Sequence, residues 1–181
     1  MIFNFERFQI DIDVEKTKAF YIDADVVSAG CSCDGCRNYE SAVDVLPDKV
    51  MRFFNELGVD MKKICEVYVN CTNPDGTLFY GGFYHLCGVL VNGESAWVST
   101  GDSPSISHWE SDKAFYITES FAVSFHIGCD SLEGGFPLPA FQLEISANIP
   151  WVLPENNPYI AGVPSKDKKK KKVGFFGLFG E

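Results

Sequence analysis

Alternating apolar and polar residues in the second half of the chain constrain the fold more than any other feature of the sequence. The clearest case is the segment 141–149, where Phe, Leu, Ile, Ala and Ile alternate with Gln, Glu, Ser and Asn. A period of two residues is typical of a β-strand with one buried face. Segments 65–71, 78–91, 114–118 and 121–127 are also strand-like, so a sheet is predicted over this half of the chain.

The first half of the chain mixes one strand with several helices. Residues 8–14 alternate like a strand, whereas residues 15–22 are spaced like a helix that Asp13 can cap. Two further helices are predicted, one capped by Asn38 and one opened by Pro47, since proline suits the first turn of a helix. Early helices followed by antiparallel strands predict an α+β fold: an antiparallel meandering sheet with the N-terminal helices packed on one face.

An Asn-Gly dipeptide at 92–93 predicts a tight turn after the long strand 78–91, because this dipeptide favours two-residue hairpin loops. Residues 96–100 are then the expected hairpin partner of that strand. Segments 101–110 and 129–139 contain several Gly, Ser and Pro residues and are expected to be loops.

Length and composition suit a single globular domain with a short appendage. The chain has 181 residues, of which 46% are hydrophobic and 22% charged, values close to those of ordinary globular proteins and far from those of disordered or fibrous chains. No apolar run approaches the roughly 20 residues that a membrane-spanning helix needs. We expect one α+β domain over residues 1–158, with a cysteine-rich loop at 28–37, and a linker and tail over residues 159–181.

Charge is divided unequally along the chain. The net charge is −10. Residues 166–181 contain six lysines against two acidic residues, a charge of +4, which leaves −14 on residues 1–165. Because an acidic body repels phosphate backbones, no nucleic acid is expected as a partner of the body.

The cysteine content bears on both compartment and chemistry. The N-terminal residues lack the charged region and apolar stretch of a signal peptide, so we expect a cytoplasmic protein with reduced thiols. In that compartment, clustered thiols are more often metal ligands or redox groups than disulfides. The cysteines number seven, an odd count: Cys31, Cys33, Cys36, Cys65, Cys71, Cys87 and Cys129.

Three of these cysteines, Cys31, Cys33 and Cys36, fall within six residues. Two intervening residues allow the thiolates of Cys33 and Cys36 to reach one ion, and a helix starting there favours the thiolate form. Zinc is the expected ion, because sulfur ligands suit soft or borderline metals. A closed tetrahedral site needs a fourth ligand. Cys87 and His85 are the favoured candidates, because they share one face of a strand.

Other roles for the thiols remain open. A helix start lowers the pKa of a thiol, so Cys33 or Cys36 could act as a redox thiol or a nucleophile. The predicted strand order lacks the βαβ unit of thioredoxin-like enzymes, so a redox role for these cysteines is less favoured. Cys65, Cys71 and Cys129 lie on apolar faces or at a strand end and are expected to be small packing residues.

Three segments of the chain also carry a resemblance. They are Cys31 to Tyr39, Phe53 to Asp60, and the Ile-Pro-Trp-Val-Leu segment at 149–153. Together they resemble a family of small bacterial proteins that pair a C-x-C-x-x-C-x-N-aromatic segment with an acidic remainder rich in antiparallel strands. The resemblance extends over residues 8–158. It implies a bacterial, intracellular, single-domain protein and indicates no particular activity.

The C-terminal tail combines positive charge with large apolar side chains. Such a tail suits an anionic membrane surface, where lysines and apolar groups act together, or the hydrophobic groove of a protein partner. The remaining alternative is a flexible, solvated tail. The residues expected to bind are Lys168, Lys169, Lys170, Lys171, Lys172, Phe175, Phe176, Leu178 and Phe179.

The sequence therefore favours a small cytoplasmic binding or adaptor protein with a structural zinc site. An enzyme is less favoured, because no phosphate loop, dinucleotide fingerprint, metalloprotease helix or nucleophile elbow is present in the sequence. Two alternatives stay open. One is a thiol redox or cysteine-nucleophile enzyme, and the other is a peripheral membrane protein anchored by the tail.

Overall fold

The computed structural model describes residues 1–100 and 107–160. The predicted binding residues of the tail, which begin at Lys168, lie outside the described residues, as does most of the loop expected at 101–110. No helix among the described residues combines the length and the apolar character that crossing a membrane requires.

Nine strands and four α-helices form within the described residues. The helices are α1 (Val14–Asp23), α2 (Val27–Gly30), α3 (Asp34–Ala42) and α4 (Asp48–Glu56). The strands are β1 (Ile2–Phe5), β2 (Phe8–Ile12), β3 (Glu66–Thr72), β4 (Leu78–Asn92), β5 (Trp97–Ser99), β6 (Ser107–Trp109), β7 (Phe115–Thr118), β8 (Phe121–His126) and β9 (Ala140–Ile149).

A seven-stranded antiparallel sheet organises the fold, with β4 at its centre. Its strands follow the order β1-β2-β4-β9-β8-β7, and β3 also pairs with β4. Along one edge of β4, β3 pairs with the first half and β2 with the second half, while β9 runs along the other edge. The mixture of early helices and an antiparallel sheet confirms the predicted α+β fold.

The predicted hairpin between residues 78–91 and 96–100 is wrong. β5 pairs instead with β6 in a separate two-stranded sheet. The end of β4 pairs with β2, up to the Gln9↔Asn92 register, rather than with β5. A further difference is β1, a strand that was not predicted and that pairs with β2 from Ile2 to Phe5.

The helices pack on one face of the sheet and form the core there. Alternate residues of β4 point to this face, including Tyr80 and Tyr84, which are fully buried. Tyr39 on α3 and Phe54 on α4 are also fully buried and pack against these two tyrosine rings. Each such aromatic side chain contributes about 2–3 kcal/mol through burial.

Helix α4 begins and ends as its sequence predicts. Pro47 precedes its first residue, and Val50, Phe53 and Phe54 are buried on one side, at helical spacing. Gly58 follows the helix with a φ of +77°, and a β-carbon there would lie 2.7 Å from the carbonyl oxygen of Val14. Glycine is therefore required at this position both by backbone conformation and by space.

The opposite face of the sheet also carries buried side chains, and several of them are polar. His85 on β4 and Gln142 and Glu144 on β9 are buried there; across the strand pair, His85 lies opposite Gln142 and Phe83 lies opposite Glu144. The β5–β6 hairpin covers part of this face, since the backbone N–H of Ala96 donates to the Ser124 hydroxyl. The loop after β8 covers another part through the backbone N–H of Asp130, which donates to Gln142.

Candidate metal centre

The structure brings Cys31, Cys33 and Cys36 together. Their Sγ atoms all lie within 4.8 Å of one another, and we call them the three-cysteine cluster. Cys31 and Cys33 are exposed, whereas Cys36 is buried. The cluster therefore has one face against the protein interior and one face toward solvent.

Two short helices create this geometry. Cys31 ends α2, where its backbone N–H donates to the carbonyl of Val27, and Cys33 is the extended residue that caps α3. Only residues 31–33 of the expected loop at 28–37 lie outside helices, and α3 begins at Asp34 rather than after Asn38. The difference has a local cause, because the backbone N–H of Cys36 donates to the Cys33 sulfur at 3.5 Å. A sulfur thus takes the capping role that was predicted for Asn38.

Asn38 has a different structural role inside α3. Its side-chain amide donates to the hydroxyl of Tyr80 and to the carbonyl of Pro150, at 3.1 Å each, and its oxygen accepts from the N–H of Val152 at 2.8 Å. These bonds tie the helix that carries Cys36 to β4 and to the segment after β9. The asparagine of the motif therefore fixes the position of the cluster.

The three thiols experience different electrostatic environments. The pKa of Cys31 is lowered, first because its sulfur accepts the backbone N–H of Cys33 and then because thiols of the cluster donate to it. Burial raises the pKa of Cys36 strongly, and its hydrogen bonds to the other two sulfurs raise it further. Cys31 therefore ionises more readily than Cys36, which retains its proton.

The candidates for a fourth ligand, His85 and Cys87, do not join the three-cysteine cluster. The ring Nε2 of His85 lies 3.0 Å from the carbonyl oxygen of Asp130, and burial lowers the pKa of the imidazole. Cys87 is buried beside the start of α1, and its backbone N–H donates to the Thr17 hydroxyl at 3.0 Å. The His85 ring thus has a local hydrogen-bond partner, and Cys87 lies in the core.

A cavity of about 590 Å³ adjoins the cluster. Cys31 and Cys36 line it, together with Cys65 and His85. Cys65 is exposed as a residue, but its sulfur is partly buried, and this burial raises the pKa of the thiol to about 11. The thiol donates to the carbonyl of Ser131 at 3.5 Å. Two additional metal-binding or reactive groups therefore border the same space as two members of the cluster.

Cys65 and Cys71 are exposed rather than buried, so their expected packing role is wrong. The cause at Cys71 is a β-bulge in β3, where the register shifts between Val69↔Tyr80 and Cys71↔Phe79. An extra residue in one strand turns the next side chain to the other face. Strict alternation along 65–71 could not reveal this shift.

No protein-family model, no curated protein and no solved structure matches this chain. The resemblance to small bacterial proteins, stated from the cysteine motif, stays a prediction.

Proposed function

We propose that the protein binds one zinc ion through the thiolates of the three-cysteine cluster and that it acts as a binding or adaptor protein. The observation that supports this proposal is the mutual proximity of three sulfurs, all within 4.8 Å. Zn–S bonds of about 2.3 Å in a tetrahedral site place the sulfurs about 3.8 Å apart. Small side-chain rotations suffice to reach that spacing.

The chemistry of the donors favours zinc over harder cations. Three sulfurs and no carboxylate belong to the cluster among the described residues, whereas calcium and magnesium require oxygen ligands. The fourth position would face solvent beside the exposed Cys31 and Cys33, where it can take water or a donor from a partner. An ion bound in this way would also join the end of α2 to the start of α3.

Serine variants test the proposal, with Co²⁺ as a spectroscopic stand-in for Zn²⁺. Reduced wild-type protein should bind one equivalent of Co²⁺ and show sulfur-to-cobalt charge-transfer absorption. C31S and C33S should weaken binding by at least about 10-fold, because each removes one of three thiolate ligands. Both positions are exposed, so these variants should fold normally.

C71S is the matched control, since Cys71 is an exposed cysteine outside the cluster. It should bind Co²⁺ as the wild type does. Equal charge-transfer absorption in C31S, C33S and the wild type would contradict the proposal.

A second candidate function, thiol exchange, is favoured by the lowered pKa of Cys31. The Cys31 thiolate would attack a disulfide, form a mixed disulfide and release the other sulfur as a thiolate. Cys33, after losing its proton, would then attack the Cys31 sulfur and release the bound group as a thiolate, closing an intramolecular disulfide.

Alkylation rates separate the two candidates. In metal-free protein, iodoacetamide should modify Cys31 first and Cys36 last, because only the thiolate reacts and the two pKa values are shifted in opposite directions. Peptide mass spectrometry gives the order directly. If added zinc leaves the rate at Cys31 unchanged while oxidised glutathione closes a disulfide within the cluster, thiol exchange replaces metal binding as the better account.

A further inference from the structure

A second large cavity, of about 640 Å³, lies on the sheet face opposite the helices. It shares no lining residue with the cavity beside the cysteines. Four aromatic residues line it, and we call it the aromatic cleft: Phe79, Trp97, Trp109 and Tyr116. Its volume falls within the range of about 300–1,000 Å³ that is usual for small-molecule sites.

An unpaired donor lies at this cleft. The indole Nε1 of Trp109 is buried and has no hydrogen-bond partner among the described residues. A buried polar group without a partner costs about 1–3 kcal/mol, and a ligand oxygen that accepts this N–H would remove that cost. A rotation of the Trp109 side chain would bring this N–H to the surface of the cleft, where an acceptor oxygen of an incoming molecule would take it.

The remaining lining is polar but nearly uncharged. Amides and hydroxyls contribute to it, among them Asn70, Ser146 and Asn148, and the carboxylate is that of Glu119. No lysine, arginine or histidine belongs to the lining described. A phosphate or carboxylate ligand would find no counter-charge, so the chemistry favours a neutral molecule.

The ring geometry narrows the class of ligand further. The rings of Trp97 and Trp109 have centroids 5.5 Å apart and planes at 78° to each other. Perpendicular rings form no parallel slot for a flat nucleobase. A sugar ring has C–H faces that pack on aromatic rings, and its hydroxyls both donate and accept, as the amide and hydroxyl lining requires.

We propose that the aromatic cleft binds a neutral saccharide of one or two sugar units. The sugar packs against the tryptophan rings, and one of its oxygens accepts the Trp109 indole N–H. This site is independent of the three-cysteine cluster, so either proposal can fail without the other.

Binding can be tested on the full chain with four named saccharides: N-acetylglucosamine, cellobiose, maltose and lactose. Saturation-transfer NMR detects contact, and calorimetry gives the affinity. At least one of the four should bind with a dissociation constant in the millimolar range or tighter. It should also slow alkylation of Cys71, an exposed thiol that lines the cleft.

The variant W109F removes the indole N–H and keeps an aromatic ring packed against Ala96, Ala114 and Ala122. It should weaken binding by about 3- to 10-fold, the value of one hydrogen bond. W151F is the matched control, because the Trp151 indole donates to the carbonyl of Glu155 outside the cleft. This control should bind as the wild type does.

Three results would overturn the proposal. One is the absence of a saturation-transfer signal from all four sugars at 10 mM or more, roughly the weak limit of specific binding. Another is equal affinity of W109F and the wild type. The third is tighter binding of adenosine or of a neutral tripeptide than of every sugar, which would assign the cleft to another class of ligand.

Discussion

Glu144 is a carboxylic acid held inside the protein, on the sheet face opposite the helices. The pKa of Glu144 is raised to about 7, chiefly by burial; the nearby Asp130 charge acts in the same direction, and hydrogen bonds from Ser95 and Gln142 oppose the rise. The Ser95 hydroxyl donates to the carboxylate at 2.9 Å. A buried acid with this pKa carries its proton at mildly acidic pH and loses it near neutrality.

This shift makes stability depend on pH in a defined direction. The folded protein holds the Glu144 proton more tightly than the unfolded chain, whose carboxyl has a pKa near 4.5. The contribution of Glu144 is therefore fully present below about pH 4.5 and is lost as the pH rises through about 7, at a cost of about 3 kcal/mol.

The variant E144Q should remove that part of the pH dependence, because glutamine does not ionise. Urea unfolding at pH 5 and pH 8 measures the difference in the free energy of unfolding. E119Q, at an exposed carboxylate, is the control and should keep the wild-type difference. An unchanged difference in E144Q would show that the buried carboxyl does not titrate in this range.

At the scale of elements, the shared edge of β4 is the unusual feature of the sheet. β3 and β2 occupy the two halves of this edge and leave a gap between them. Helix α1 fills the gap, since the Tyr21 hydroxyl accepts from the backbone N–H of His85 at 3.1 Å and donates to its carbonyl at 3.0 Å. A side chain thus replaces a strand as the hydrogen-bonding partner of β4.

Y21F should destabilise the protein by about 1–3 kcal/mol, because it leaves both backbone groups of His85 buried without a partner. The measurement is urea denaturation followed by circular dichroism. Y116F removes a hydroxyl at a residue that is 44% exposed and should change stability by less than about 0.5 kcal/mol. Equal effects of the two substitutions would contradict the bridging role of Tyr21.

The predictable elements are those whose pattern is local. Alternation identified β9, a strand-like run ending at the Asn-Gly turn identified β4, and helical spacing after Pro47 identified α4, because each of these signals lies within the element itself. Pairing of strands is decided by distant partners, so the β5–β6 pair and the shared edge of β4 were not predictable from neighbouring residues.

The same distinction holds for the candidate site. Cys31, Cys33 and Cys36 are close in sequence, and one short turn suffices to bring them together, as their spacing predicted. The surroundings of His85 depend on β4, α1 and the loop after β8, so its separation from the cluster is a property of the tertiary fold. The exposure of Cys71 depends on the bulge in β3, which the alternation of apolar and polar residues along 65–71 does not reveal.

At the scale of the whole molecule, the charge division between body and tail predicts a salt-dependent interaction. Six lysines near an anionic surface gain about 1 kcal/mol each at low salt. We propose that the full chain binds vesicles containing phosphatidylserine and that a chain ending at residue 165 does not. Sedimentation with vesicles at low and high salt measures this binding.

Vesicles of phosphatidylcholine alone are the control, because they lack net negative charge. The full chain should remain in solution with them. Equal sedimentation of the full and shortened chains with phosphatidylserine would exclude the tail as the membrane-binding segment.

The central claim is that the three-cysteine cluster binds a zinc ion, and elemental mass spectrometry with thiol titration tests it most directly. Untagged protein purified under reducing conditions should contain about one zinc per chain, as a single three-sulfur site implies. Chelation should make the cluster thiols newly reactive, with Cys31 the first of them. A protein without metal, in which added zinc fails to protect Cys31 and Cys33 from alkylation, would contradict the claim.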